Sequence, residues 1–309
     1  MKIVVGSRGS KLALWQAGWV KDRLRAAGHE VEIRIIKTTG DKRSNASLTS
    51  SGTKGLFIKE IEEALAAGSI DLAVHSLKDL PTEQPAGLAV GAVPSRADAR
   101  DALVSRNGQP LQDLPARARV GTSSLRRQSQ LRALGPKLEV VAVRGNVDTR
   151  LKKLARGDYN ALVLAAAGLD RLGLSDRITH RFAVEEMCPA VGQGALALEV
   201  REDDLRIKQV IQPLDDPATH QAVQAERALL RALGGGCDVP IAAHAWTKSG
   251  SLELTAVIAS LDGSKLVRAN IAGSADLPDD LGRRAAQELL KQGAREILAA
   301  ASSEVHDIG

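Results

Sequence analysis

Aromatic residues are nearly missing from this chain: Trp15, Trp19, Trp246, Tyr159, Phe57 and Phe182 are all that occur in 309 residues. So few scattered rings make no stacking platform of the kind single-stranded nucleic-acid binders use. Cysteine is limited to Cys188 and Cys237, far apart and each without a second cysteine nearby. That excludes a Cys-x-x-Cys metal knuckle and a disulfide framework, and it fits a reducing compartment. The histidines are scattered, which leaves a metal site without support. No apolar run approaches the roughly 20 residues that a membrane helix needs. The N-terminus, Met1 to Arg8, passes directly into a strand pattern without the apolar core or cleavage site of a signal peptide. These absences predict a cytoplasmic protein that does not span a membrane. Gly-x-Ser-x-Gly, a Gly-rich phosphate loop and His-Glu-x-x-His are absent too, so the common hydrolase, nucleotide and zinc signatures do not apply.

What is present is ordinary globular material. Hydrophobic residues make up 44% and charged residues 26%, and the length suits two domains or three small ones at about 150 residues each or fewer. Lys and Arg number 42 against 37 Asp and Glu, a net charge of +5 that points to an anionic partner. The excess is modest and the arginines sit at junctions instead of forming a stripe, which argues against nucleic acid.

The pattern alternates strand and helix. Lys2 to Gly6 reads as a strand, a helix follows from Ser10, Val31 to Ile36 is a second strand, Lys54 to Ala67 is helical, and Ile70 to His75 is a buried strand. Arg43 to Thr53 is almost devoid of apolar residues and reads as a surface loop, either a lid or a plain linker. A second series begins at Arg119-Val120-Gly121 and runs through a helix from Ser124, a strand over Leu138 to Val143, a helix over Val147 to Arg156 and a strand over Ala161 to Leu164. The openings Val5-Gly6-Ser7 and Val120-Gly121-Thr122 are alike, which suggests two copies of one α/β lobe. Ala195 to Val200 is strand-like, with helices from Asp203 and Pro217. From Val239 three strand runs joined by Lys-Ser-Gly and Asp-Gly-Ser turns lead to one long helix, Leu277 to Ala301. The expected fold class is α/β, two lobes followed by a smaller α+β domain.

Chemistry-bearing residues gather where strands end and helices begin. Gly121-Thr122-Ser123-Ser124-Leu125-Arg126-Arg127 offers hydroxyls, backbone amides and a positive helix end, a natural place for anions. Adjacent arginines there could grip two carboxylates or two faces of one ligand. Arg144, Arg150 and Arg171 occupy comparable junctions, and Arg8 holds the matching place in the first lobe; in open α/β sheets ligands collect at this edge. Asp79, in Ser76-Leu77-Lys78-Asp79, is a carboxylate among cations, and its role is open between helix cap, ion-pair partner and proton-transfer or cation-stabilising group. His75, on an apolar strand, reads as a core residue. Cys237 follows three glycines, Gly234 to Gly236, and is either a thiol presented to an electrophile or an idle turn residue. Cys188 has no comparable setting.

Taken in order, seven segments resemble the porphobilinogen deaminase (hydroxymethylbilane synthase) family over essentially the whole chain. They are Ser7-Arg8-Gly9-Ser10 with Leu12 to Ala17, Lys54-Gly55-Leu56-Phe57, His75 to Pro81, Gly121 to Gln128, Arg144-Gly145-Asn146-Val147, Pro189 to Gly194, and Gly235-Gly236-Cys237. The resemblance implies an enzyme that joins four porphobilinogen units head to tail, losing one ammonia per unit, on a covalent dipyrromethane cofactor. By position Cys237 matches the attachment cysteine and Asp79 the catalytic aspartate. Arg8, Ser10, Lys78, Thr122, Ser124, Arg126, Arg127, Arg144, Arg150 and Gln193 match cofactor contacts, and Arg8, Arg144, Arg150, Arg171, Lys54 and Phe57 match substrate contacts. Each pyrrole carries an acetate and a propionate, which accounts for the number of arginines. The family often has a lysine four residues before Lys54, where this chain has Ser50.

The resemblance further implies two periplasmic-binding-protein-like lobes, residues 1–94 with 195–213 and residues 99–190, and a third domain, 217–309, that carries Cys237 to the cofactor. The implied partners are porphobilinogen and oligopyrrole intermediates, with no nucleic acid and no membrane, in a monomer. The rival from another class is a non-catalytic anion-binding module, which would bind its ligand reversibly and form no covalent adduct.

Overall fold

The computed structural model describes residues 1–39, 58–134, 138–235 and 239–307. In chain order the first lobe contains β1 (Lys2–Ser7), α1 (Lys11–Ala26), β2 (Glu30–Ile35), α2 (Lys59–Ala66), β3 (Leu72–Ser76) and β4 (Leu88–Ala92). The second contains β5 (Asp101–Ser105), β6 (Arg119–Gly121), α3 (Leu125–Ala133), β7 (Glu139–Val141), α4 (Val147–Arg156), β8 (Ala161–Ala165), α5 (Ala166–Arg171) and β9 (His180–Arg181). The chain continues through β10 (Leu196–Arg201), α6 (Leu205–Ile211) and α7 (Pro217–Ala232) to β11 (Ile241–Lys248), β12 (Ser251–Ala259), β13 (Leu266–Ser274), α8 (Pro278–Lys291) and α9 (Ala294–Asp307).

Two compact units result. Met1–Ala97 with Ala195–His220 forms one, and Asp98–Gly194 with Gln221–Gly309 forms the other. The first unit is built on a five-stranded sheet of order β2-β1-β3-β10-β4, the second on a five-stranded sheet of order β7-β6-β8-β5-β9 together with the three-stranded antiparallel sheet β11-β12-β13. The two larger sheets follow one plan. In each, the second strand, β1 or β6, is parallel to both neighbours, and the fourth strand, β10 or β5, runs antiparallel to the strands beside it. The duplicated lobe suggested by the two similar openings is therefore present in the topology.

Local chemistry explains the elements that carry the site. Ser10 caps α1, its hydroxyl accepting from the Ala13 amide at 3.3 Å, and Asn146 caps α4, accepting from the Thr149 amide at 3.0 Å. Helix α4 ends at Gly157, whose φ of +90° is the left-handed conformation that glycine adopts without strain. Strands β3 and β8 are almost wholly buried apolar runs, the pattern of strands covered on both faces. The first unit packs Ile3, Val5, Leu72, Val74, Leu198 and Val200 against Val20 and Leu24 of α1. In the second unit, Leu103, Val120 and Val163 pack with Leu131 of α3, and the small antiparallel sheet is covered by apolar residues of α7, α8 and α9.

The expected single helix from Leu277 to Ala301 is two. The chain leaves helical geometry at Gln292 and Gly293, and Gly293 has φ +94°, which terminates α8 before α9 begins. Strands β4, β5 and β9 have no counterpart in the sequence reading.

Candidate functional site

In the first unit, β1 and β3 are neighbouring parallel strands, so their carboxyl ends lie at one edge of the sheet. Arg8 follows β1 at that edge, half-buried, and Ser10 begins α1 just beyond it. At the end of β3 the chain makes a single 3-10 turn, Leu77–Asp79, fixed by the Leu77 amide donating to the Ala195 carbonyl at 3.0 Å and the Leu80 amide donating to the Leu77 carbonyl at 3.1 Å. Gln16 of α1 donates to the Ser76 hydroxyl at 2.8 Å and ties the helix to this turn. Lys78 is half-buried and Asp79 is exposed. Asp79 caps nothing, and among the described residues its carboxylate has no hydrogen-bond or ion-pair partner. Capping and pairing, the two bland readings of this residue, are thus not seen.

His75 lies one turn of chain earlier and is a core residue, as expected. Its Nε2 lies 3.0 Å from Glu199 Oε2, with both side chains buried, while the other Glu199 oxygen is buried and has no partner among the described residues. Burial pushes the carboxyl of neighbouring Glu62 up, and the Glu199 charge pushes it further.

In the second unit, β6, β7 and β8 are parallel, and their carboxyl ends again share one edge. Thr122 is fully buried and its hydroxyl accepts from the Ser124 amide at 3.2 Å; Ser124 stands at the N-cap of α3 with no capping bond from its own side chain. Arg144 is exposed after β7, and Arg150 of α4 is half-buried, its Nε donating to the Gly145 carbonyl at 2.8 Å. Arg171, at the end of α5, donates through Nη2 to the Gly194 carbonyl at 2.7 Å, and burial pushes its guanidinium down to about 10.

Arg126 and Arg127 occupy the first turn of α3 and are 4% and 6% exposed. They do not splay to opposite sides. Both converge on Asp101, the first residue of β5, which is fully buried. Arg126 Nη1 donates to Asp101 Oδ2 at 2.7 Å and to the Cys188 carbonyl at 2.7 Å. Arg127 donates to Asp101 Oδ1 through Nε at 2.9 Å and Nη2 at 2.7 Å, and to the Val163 carbonyl through Nη1 at 3.1 Å. Gln193, also buried, donates to the same Oδ1 at 2.9 Å and to the Ala99 carbonyl at 2.7 Å. Burial pushes the Asp101 carboxyl up, but the charges and hydrogen bonds of the two arginines overcome this and hold it well below the usual carboxylate range. Arg126 Nε is buried and, among the described residues, has no partner.

Sequence reasoning missed Asp101. Its place follows from topology: β5 is antiparallel to β8, with Asp101 opposite Ala165, so the strand's first residue lies at the carboxyl edge of its neighbours. The available signal was an acidic residue heading the apolar run Ala102 to Val104.

Cys188 is buried, its thiol pushed up to about 12 by burial, with Sγ 3.7 Å from the Thr255 carbonyl; this is an inert core thiol. Lys54, Phe57 and Cys237, with Ser50 and the Arg43 to Thr53 loop, lie outside the described residues. Among the described residues there is no group of His, Cys, Asp and Glu able to hold a metal ion, and no helix long and apolar enough to cross a membrane.

Fold and site together define an α/β protein whose strand ends carry hydroxyls and guanidinium groups suited to carboxylate-bearing ligands. Residues 3–209 match the family described as "Porphobilinogen deaminase, dipyromethane cofactor binding domain", and residues 220–291 match "Porphobilinogen deaminase, C-terminal domain". The chain belongs to the porphobilinogen deaminase family. It is 54% identical over 300 residues to the porphobilinogen deaminase of Desulforudis audaxviator, covering 96% of this chain and 97% of that one. The Syntrophobacter fumaroxidans protein of the same name is 50% identical over 298 residues, 96% of each chain, and a Bacillus cereus protein of that name is 48% identical over 307 residues, 98% of this chain and 99% of that one. Among solved structures, the chain is similar to a periplasmic substrate-binding protein of an ABC transporter from Coxiella burnetii, with a TM-score of 0.45, 17% identity, and coverage of 73% of this chain and 96% of that one.

Proposed function

We propose that this chain polymerises four porphobilinogen units head to tail to hydroxymethylbilane, releasing one ammonia per unit, on a dipyrromethane primer attached through Cys237. Family membership over nearly the full length supports the activity. The described residues fit the primer: it bears acetate and propionate groups, and the second unit holds a cluster of guanidiniums that includes Arg126 Nε, buried and without a partner among the described residues. When bound, the primer supplies a nucleophilic α-carbon at the free end of a pyrrole chain.

The observation that supports catalysis most directly is Asp79, an exposed carboxylate with no partner among the described residues, carried on a turn whose backbone is tied down on both sides. Each coupling breaks the bond from the aminomethyl carbon of porphobilinogen to its nitrogen, forms a carbon–carbon bond to the pyrrole chain, and ends with loss of the α-proton. In the protonated state Asp79 gives the departing amine its proton. As the carboxylate it accepts a hydrogen bond from the N–H of the cationic pyrrole that remains, and it then takes up the α-proton. A carboxylate committed to a cap or an ion pair would not be open to the substrate in this way. Arg8, Ser10, Lys78, Thr122, Ser124, Arg126, Arg127, Arg144, Arg150 and Gln193 are assigned to the primer, the arginines to its carboxylates, and Arg8, Arg144, Arg150, Arg171, Lys54 and Phe57 to the incoming substrate.

The chain acts as a cytoplasmic monomer with three domains, 1–94 with 195–213, 99–190 and 217–309. The test is to follow porphobilinogen consumption and ammonia release by the purified protein. One ammonia per porphobilinogen consumed supports the reading. Reversible binding without consumption contradicts it and favours an anion-binding module.

A further inference from the structure

We infer that Asp101 is a positioning residue that sets the charge and the orientation of the Arg126–Arg127 pair toward the carboxylates of the primer, an inference that rests on the function proposed above. Adjacent residues on a helix point about 100° apart, and two guanidiniums repel each other. Here one buried carboxylate takes a different oxygen to each: Oδ2 to Arg126 and Oδ1 to Arg127, with Gln193 completing Oδ1. The Asp101 charge offsets the repulsion between the two guanidiniums in a place shielded from water, where such charges act strongly. Asp101 also fixes which edge of Arg126 is spent. Nη1 is used on Asp101 and the Cys188 carbonyl, whereas Nε is buried and, among the described residues, unpartnered. A buried donor of this kind is costly to leave unpaired, and the carboxylate of a ligand is the partner that would satisfy it in a charge-assisted bond.

The experiment compares wild type, Asp101→Asn, Asp101→Glu and a stability control, Val104→Ala, which trims a fully buried side chain of the same strand. Each is purified and read by circular dichroism, by thermal midpoint, and by denaturing mass spectrometry for the share of chains carrying the two-pyrrole adduct. Folded Asp101→Asn is expected to carry the adduct at least tenfold less often than wild type. Asp101→Glu, which keeps the charge and both oxygens, falls between the two, and Val104→Ala loads fully despite a lowered midpoint. Asp101→Asn loading within twofold of wild type, or loading that follows the midpoint across all four proteins, overturns the inference. If Asp101→Asn does not fold, Asp101→Glu decides alone, and loading at the wild-type level overturns it. A wild-type protein without any adduct refutes the proposed function, a result separate from either outcome for Asp101.

Discussion

Asp79 and Asp101 are both carboxylates at a strand end, and their surroundings give them opposite chemistry. Asp101 is buried between two arginines and is held ionised, so it cannot cycle a proton near neutral pH. Asp79 is exposed and, among the described residues, has no partner, so its carboxylate is open to a ligand. Asp79→Asn is expected to lower turnover by about 10²–10⁴-fold, the usual range for losing a general acid–base group. Its thermal midpoint should stay near wild type, because an exposed side chain without partners contributes little stability; steady-state kinetics and a melting curve check both. Glu62 allows a pH prediction. Its folded-state pKa is raised by burial and by Glu199, so the folded protein prefers the protonated form, and this contribution to stability is present in acid and is lost as pH rises through the raised pKa. Glu62→Gln should therefore raise the melting temperature at pH 7–8 and bring no gain below the ordinary glutamate range; a midpoint unchanged at pH 8 contradicts this. Asp79 was singled out in the sequence because its neighbours form a continuous local motif, and its catalytic role came from the family resemblance. Asp101 was not, because the residues that give it meaning, Arg126, Arg127 and Gln193, are distant in sequence and are brought to it by strand pairing.

Among the elements, those with strong local signals were read correctly from the sequence and those defined by pairing were not. Helix α4 has a capping asparagine, an amphipathic pattern and a terminal glycine, and its predicted span is the observed one. Strand β5 follows a polar stretch, and β9 is two residues long; both exist because they pair with a strand already in the sheet. The break between α8 and α9 depends on Gly293, which a helix-period reading passes over. Two other glycines mark close contacts. A Cβ on Gly282 of α8 would lie 2.3 Å from the Ala225 carbonyl oxygen and 2.8 Å from the Leu229 amide nitrogen of α7, backbone that cannot give way cheaply. Gly282→Ala is expected to cost about 1–3 kcal/mol through forced separation of the two helices. Gly263, in the turn between β12 and β13, combines φ +76° with a Cβ position 2.5 Å from the Ala133 amide nitrogen, so Gly263→Ala should destabilise by a similar amount. Chemical denaturation of each variant tests this, and a change below about 0.5 kcal/mol in either would contradict the close contact.

For the molecule as a whole, the alternation of strands and helices was sufficient to predict two α/β lobes and a small antiparallel sheet. It could not give the crossed connectivity, in which β10 completes the first sheet after the second has been built. That order follows from one antiparallel strand in each sheet, a feature of pairing that no local pattern encodes. The central claim, that this chain grows a pyrrole polymer on its own cysteine, is tested most directly by denaturing mass spectrometry of the purified protein before and after brief exposure to porphobilinogen. The account predicts a starting mass that exceeds the polypeptide by two pyrrole units, further steps each equal to porphobilinogen less ammonia, and the disappearance of all of them in Cys237→Ser. A bare polypeptide mass that porphobilinogen leaves unchanged, or an adduct that persists in Cys237→Ser, would contradict it.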